Sequence, residues 1–319
     1  MSDENQRSDQ QFTLVARGPS AAILFNHEQL QVPNFPAPWG PVVITVRTRW
    51  ITRAEGVTVP GHLWIEVTGP APSLDHALQP FATAGLVFLP ILSLSANAAI
   101  SDIETELAFE STPGCSDRPY FQNFVPPESD MVFLVRRLDA QATVSVIDAF
   151  TKSPHSSRLH RAAEQYRLAL NYWRMGLEAL SVAHLWMVLE AMTPVCVEVE
   201  IKQRGLKTRG ELALSLGVKE SSDKMEMESK LDAEVRRQLL LAGDDECYSN
   251  ARKASDGLEH GYLTHKEVHT LSQSVRLRLA RLVRAAILDL LGFEADVVSK
   301  LNAAPYENPV GHCPLCQHV

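Results

Sequence analysis

The chain has few cysteines, no long uninterrupted apolar run, no excess of positive charge and no glycine-rich phosphate loop. Each absence excludes something. Five cysteines in 319 residues, with Cys115, Cys196 and Cys247 scattered singly, make no disulfide framework, and the cytoplasm is the natural compartment. The polar opening from Met1 to Arg7 leads into no apolar core, so it lacks the form of a secretory signal. The best candidate for a membrane span, 84–100, is interrupted by Pro90 and diluted by Ser93, Ser95 and Asn97; it reads as a buried helix, and no membrane partner is expected. A net charge of -8 argues against a general polyanion binder, so any nucleic-acid contact must come from a local basic patch. No Walker-type loop, dinucleotide fingerprint or nucleophile elbow occurs, which argues against ATP use, hydride transfer and serine-hydrolase chemistry. Internal repeats and low-complexity tracts are also missing.

What is present describes a globular chain: 45% hydrophobic and 21% charged residues, with room for two domains. The fold class read from the pattern is α+β. Residues 1–10 read as a disordered arm and 11–138 as a mixed domain of strands and helix. The β-branched run from Pro41 to Thr52 places Ile44, Val46, Thr48 and Trp50 on one face of a strand. A second strand spans His62 to Thr68, bounded by Pro60-Gly61 and Gly69-Pro70. Ser73 opens a helix expected to run to Leu89, and Glu104 to Ser111 forms another strand.

From 139 to 293 the texture is helical. Helices are expected from Ala140 to Thr151, from Arg158 to Trp173, and from Leu177 to Met192, the last apolar on all sides and ended by Pro194. A short helix at Arg209, a charged one from Lys224 to Ala242 and a long one from Lys266 to Leu291 complete the half. Residues 294–319 form a tail.

The segment from Ala251 to Gly261 packs two cations, two carboxylates, a hydroxyl and a histidine just ahead of the last long helix. Imidazole moves protons near neutral pH, and guanidinium holds phosphates and oxyanions. Gly257 and Gly261 flank His260, as expected of a helix entry or a sharp bend, a turn that leaves the ring open to solvent. Arg252 and Lys253 sit about two helical turns earlier on a similar face. The same residues also fit a structural arrangement, with Asp256 capping a helix, Glu259 pairing with a cation and His260 bonding a carbonyl. Composition does not decide between the two.

The helical half resembles a HEPN domain, the all-helical module of many prokaryotic defence and toxin ribonucleases. His260-Gly261 matches the histidine end of that family's motif, and Ser255-Asp256 falls where the family has arginine and its polar neighbour. Arg252 lies three residues too early. The core helix from Leu185 to Met192, with its Glu190-Ala191 pair, is similar to the family's apolar helix. The resemblance covers Arg158 to Phe293 and implies metal-independent RNA cleavage by a homodimer. Histidine would serve the proton transfers and arginine would stabilise the phosphorane. On this reading His260 is catalytic, Arg252 clamps the phosphate and Asp256 orients the site, with Ser255, Glu190 and Glu259 in support and no catalytic cofactor. The competing reading is a non-enzymatic scaffold or regulator that uses the bundle to dimerise.

Other residues are weighed beside these. Glu190 either pairs with Arg252 or His260, or faces solvent at its helix end. His184 reads as a satisfied core histidine. Lys253, Arg281 and Arg284 are candidate RNA contacts, although arginines on the last helix are more commonly its solvated face. His265 and His269, four apart, share a face without a third metal ligand. At the C-terminus Cys313 and Cys316 have zinc-knuckle spacing, with His312 and His318 as added ligands; a structural zinc and a plain flexible tail both remain open. The first half is read as a sensor or specificity module, from the two-domain arrangement alone.

Overall fold

Alternation of β-branched and polar residues sets the first sheet. In the computed structural model, residues 10–52, 54, 56, 58–124, 135–219, 223–303 and 306–307 are described. The chain forms β1 (Gln11–Gly18), β2 (Ala22–Ile23), β3 (Leu30–Phe35), β4 (Val42–Thr52) and β5 (Thr58–Pro70), then the helix α1 (Leu74–Ala96). β6 (Glu104–Glu110), β7 (Tyr120–Gln122) and β8 (Val135–Arg137) follow, and β9 (Tyr306–Glu307) lies near the end of the chain. Side chains on a strand alternate between faces. Val42, Ile44, Val46 and Thr48 of β4 are accordingly buried. They share a face with Leu63, Ile65 and Val67 of β5 through the antiparallel register Ile44↔Val67 and Val46↔Ile65. Six strands make one antiparallel sheet in the order β3-β4-β5-β1-β6-β7, and β2-β8-β9 make a second. β5 runs through Pro60 and Gly61 and is longer than the sequence pattern suggests.

α1 packs on β1, β5 and β6. Ser73 caps it, accepting from the His76 N–H. The helix continues past Leu89, where the pattern predicts its end. Pro90 frees the carbonyl of Leu86, on a side where Leu86 itself is exposed. The buried hydroxyls of Ser93 and Ser95 donate to Ala98 O and Ile91 O, so neither is stranded in the core. Gly18 shows how tightly this unit closes, because a Cβ there would collide with the backbone oxygen of Asp102. Gly18→Ala is expected to destabilise the sheet unit by about 1–3 kcal/mol, read as a drop in its melting temperature. An unchanged value would mean that strand β1 shifts freely.

The helical unit comprises α2 (Ala140–Lys152), α3 (Ser156–Asn171), α4 (Glu178–Gln203), α5 (Arg209–Ser215), α6 (Lys224–Glu234), a π-helical turn (Val235–Leu240), α7 (Asp245–His260), α8 (His265–Leu290) and α9 (Ala295–Ala303). α4 packs against α3, α5, α7, α8 and the π-helical turn. Leu185, Val188, Leu189 and Met192 are each 0% exposed.

Three expectations are corrected here. α4 does not end at Pro194 but runs to Gln203. The bond that proline removes belongs to the carbonyl of Glu190, an exposed residue. The Thr193 hydroxyl donates to Leu189 O at 2.6 Å and receives Arg236 Nε at 3.0 Å, so that buried hydroxyl is satisfied. The helix expected from 224 to 242 passes into the π-helical turn at Val235. The segment from Ala251 to His260 is neither a bend nor a helix entry but the C-terminal part of α7, a continuous helix capped by the Asp244 side chain, which accepts from Cys247 N. Gly257 lies inside that helix, where a Cβ would stand 2.7 Å from Leu263 Cδ1. Glycine there lets Leu263 fold back onto the helix instead of bending it.

The chain divides into two compact units, Met1–Ser145 with Leu301–Val319, and Val146–Lys300. The division falls within α2, a few residues after the expected boundary at 138/139, and the chain from Leu301 returns to the first unit. The fold class is α+β, as the sequence pattern implies. α1 and α4 are long and apolar enough to cross a membrane, yet 61% and 67% of their apolar windows are buried inside the protein. Both are core helices. Of the arm expected at 1–10, residues 1–9 lie outside the described residues.

Candidate functional site

α7 is amphipathic, with Cys247, Ala251, Ala254, Ser255 and Gly257 buried against the bundle. The opposite face carries Arg252, Lys253, Glu259 and His260, all exposed, and half-buried Asp256. Arg252, Asp256 and His260 follow at intervals of four and form a ladder along this face. Arg252 Nε stands 3.5 Å from Asp256 Oδ2. His260 is two turns beyond Arg252, about 12 Å along the axis. The guanidinium is therefore paired with the intervening carboxylate and does not clamp at the ring. Asp256 is a mid-helix ion-pair partner and caps no helix.

Ser255 is 1% exposed and its hydroxyl donates to Glu259 Oε1 at 3.2 Å. It lies on the buried side of α7, so its role is to tie down Glu259. Glu190 faces Arg236, with Oε1 3.9 Å from Nη1 and a half-exposed side chain. Its ion-pair partner is neither Arg252 nor His260. Lys253 and Arg281 are exposed, but Arg284 is buried at 5% exposure and cannot serve an RNA-facing surface. His184 stacks on Tyr172 and bonds Gln165 at 2.7 Å; burial holds its pKa below the usual histidine value.

Gly261 ends α7 in the left-handed conformation at φ 66°, the glycine cap expected of a helix terminus. Thr264 then starts α8 with a capping box. Its hydroxyl accepts from Glu267 N, and the Glu267 carboxylate accepts from Thr264 N and Oγ1. These bonds to Thr264 lower the Glu267 pKa. The turn thus separates His260, the last residue of α7, from His265, the first of α8. His265 and His269 stack with ring centroids 6.2 Å apart.

One pair was not legible in the sequence. His269 Nε2 lies 3.0 Å from Glu178 Oε2, in the first turn of α4, and the Glu178 side chain is 4% exposed. That oxygen lacks an aligned hydrogen bond, so the two groups are in close contact without a directed bond. The Glu178 carboxyl is held below its ordinary value, first by its own backbone N–H, then by His269 and Arg276, against the opposing effect of burial. Arg276 in turn lies over the Trp173 ring at 4.4 Å. A cleft of about 370 Å³ opens beside this cluster, lined by Gly176, Leu180, Gly257, Leu258, Leu263 and His265 among others.

A carboxylate with a lowered folded pKa contributes stability above its unfolded value, and that stability is lost as pH falls through the folded value. Glu178→Gln is expected to cost the helical unit about 1–3 kcal/mol at neutral pH and to flatten its loss of stability below about pH 4. Melting curves of both proteins from pH 7 to pH 3 test this; parallel acid limbs would refute it.

Among the described residues no group of three or more His, Cys, Asp and Glu side chains is arranged to hold a metal ion. Cys313, Cys316 and His318, with His312, lie outside the described residues. Burial pushes the thiol of Cys196 up to about 12 and that of Cys247 up to about 11, which makes both poor nucleophiles. Compared with protein-family models, with curated proteins and with solved structures, this chain matches none of them.

Proposed function

We propose that the helical unit is a HEPN-like RNA-binding module, and that it cleaves RNA without a metal ion when two copies bring their α7 faces together. The observation that carries this reading is the exposure of His260 at the end of α7, on the same helix face as Arg252. In the reaction an imidazole takes the proton of a ribose 2′-hydroxyl, whose oxygen attacks the adjacent phosphorus. The 5′-oxygen leaves and takes that proton from the imidazolium so formed. Products carry a 2′,3′-cyclic phosphate and a 5′-hydroxyl. The developing phosphorane charge needs a guanidinium.

Within one chain Arg252 is paired with Asp256, two turns from the ring. The clamp at each His260 is therefore assigned to Arg252 of a second copy, with the nearby Lys253 adding positive charge. Exposed Leu180 and Leu258 on the lips of the cleft, and exposed Tyr262 beside it, supply apolar area for such a homodimer. The cytoplasm suits a chain with buried, unpaired thiols, and a bacterial defence or stress setting is what the resemblance suggests.

The same Arg252–Asp256 pair favours a second reading, a dimerising scaffold with no activity. Incubating the purified protein with total RNA in excess chelator separates the two. The nuclease reading expects fragments ending in cyclic phosphate; a dimer that leaves every RNA intact supports the scaffold.

A further inference from the structure

The exposed face of α7 carries its charges in an order that complements itself. Arg252 and Lys253 precede half-buried Asp256, and Glu259 and His260 follow it. At about 100° per residue, each of these four falls within about 60° of Asp256 around the helix, so they make one stripe. Arg252 is engaged by Asp256, and one oxygen of Glu259 accepts from the Ser255 hydroxyl. Lys253 is exposed and has no ion pair among the described residues. It stands about 9 Å along the axis from Glu259, beyond the one-turn spacing at which side chains of a single helix pair. The stripe therefore begins with two cations and ends with a carboxylate beside an imidazole, and the two ends do not neutralise each other.

A second copy of the chain fits this pattern in one orientation. Laid side by side in parallel, two such helices bring Arg252, Lys253 and Glu259 each level with itself, like charge against like. Laid antiparallel about a two-fold axis beside Asp256, a residue before Asp256 comes level with the residue equally far after it on the other copy. Lys253 is then level with Glu259 of the second copy and Arg252 with its His260, and symmetry makes each match twice. The two Asp256 carboxylates approach at the axis, each with its own Arg252 beside it. Exposed ion pairs add little affinity one by one. Like charges set against each other are costly, so such pairs select the register.

We propose that α7 is a self-recognition surface, on which a second copy docks antiparallel across Asp256 in a register set by Lys253–Glu259 pairs between the copies. This rests on the pairing of two copies proposed above and adds the contact that aligns them. Sedimentation of the full chain tests it. The wild type should form a dimer that high salt weakens. Lys253→Glu and Glu259→Lys should each weaken self-association at least tenfold, equal to about 1.4 kcal/mol. Mixed as folded proteins, the two variants should associate more tightly than either does alone. In that heterodimer each reversed side chain faces the other reversed one and each native side chain a native one, always with opposite sign. Lys253 is exposed, so its variant carries the test even where Glu259→Lys, which removes the acceptor of Ser255, loses stability. A monomeric wild type, undiminished self-association of Lys253→Glu, or a mixture of folded variants no tighter than its parents would each overturn the proposal. Cleavage of RNA by the wild type is scored separately. A dimer that obeys these charges and leaves RNA intact keeps the surface and removes the nuclease, whereas a monomer that cleaves RNA does the reverse.

Discussion

His260→Ala is expected to lower RNA cleavage by about 10²–10⁴-fold, the usual contribution of a positioned general acid or base, while the protein stays folded. The side chain is exposed and ends its helix. No contact that holds the fold together is therefore lost with it, and surface changes of this kind stay within about 0.5 kcal/mol. A large loss of activity with a melting temperature within a few degrees of wild type separates chemistry from folding. Residual activity should also be sensitive to salt, because contact with the RNA backbone displaces counterions. Equal cleavage by wild type and variant would remove His260 from the mechanism, and the exposed ladder on α7 would then be a solvated face.

The second large effect falls on stability. Leu189→Ala removes a side chain that is 0% exposed in the helix around which α3, α5, α7 and α8 pack. Its neighbours Leu185, Val188 and Met192 are equally buried, so the space left behind is walled by helices that cannot easily collapse. Large-to-small changes at such sites cost about 2–5 kcal/mol, a large share of the 5–15 kcal/mol typical of a domain. Hydrogen exchange along α4 reads this directly: its slowest amides should open more readily by the same free energy, while β1 and β5 keep their protection. Unchanged exchange in α4 would mean that this helix is not the centre of the unit.

How much of this could be read from the chain depends on the reach of the interaction. β4 and β5 were legible because alternation is local, and the start of α1 because Ser73 and its helix are adjacent in sequence. The continuation of α4 past Pro194 was not, because the group that receives Arg236 there is a threonine hydroxyl and the arginine comes from the π-helical turn. Reading a helix entry or a bend around His260 followed from Gly257 and Gly261, but Gly257 answers to Leu263 rather than to a turn. Arg281 and Arg284 look alike in sequence. They lie three residues apart on α8, and the helix turns the second into the bundle beside Val283 and Ile287. For the site, the exposure of His260 was foreseeable from the glycine that follows it. The Glu178–His269 pair joins two helix starts distant in sequence. No local pattern encodes it.

The central claim is that His260 of one copy works with Arg252 of another. Inactive His260→Ala and Arg252→Ala proteins, each confirmed as a folded dimer, can be mixed, allowed to exchange subunits and assayed on RNA in chelator. A heterodimer pairs the intact Arg252 of the first chain with the intact His260 of the second, so one complete site is restored in a symmetric homodimer's geometry. The account predicts that the mixture regains a substantial fraction of wild-type cleavage although neither parent cleaves. A mixture as inactive as its parents, after exchange has been demonstrated, would contradict it.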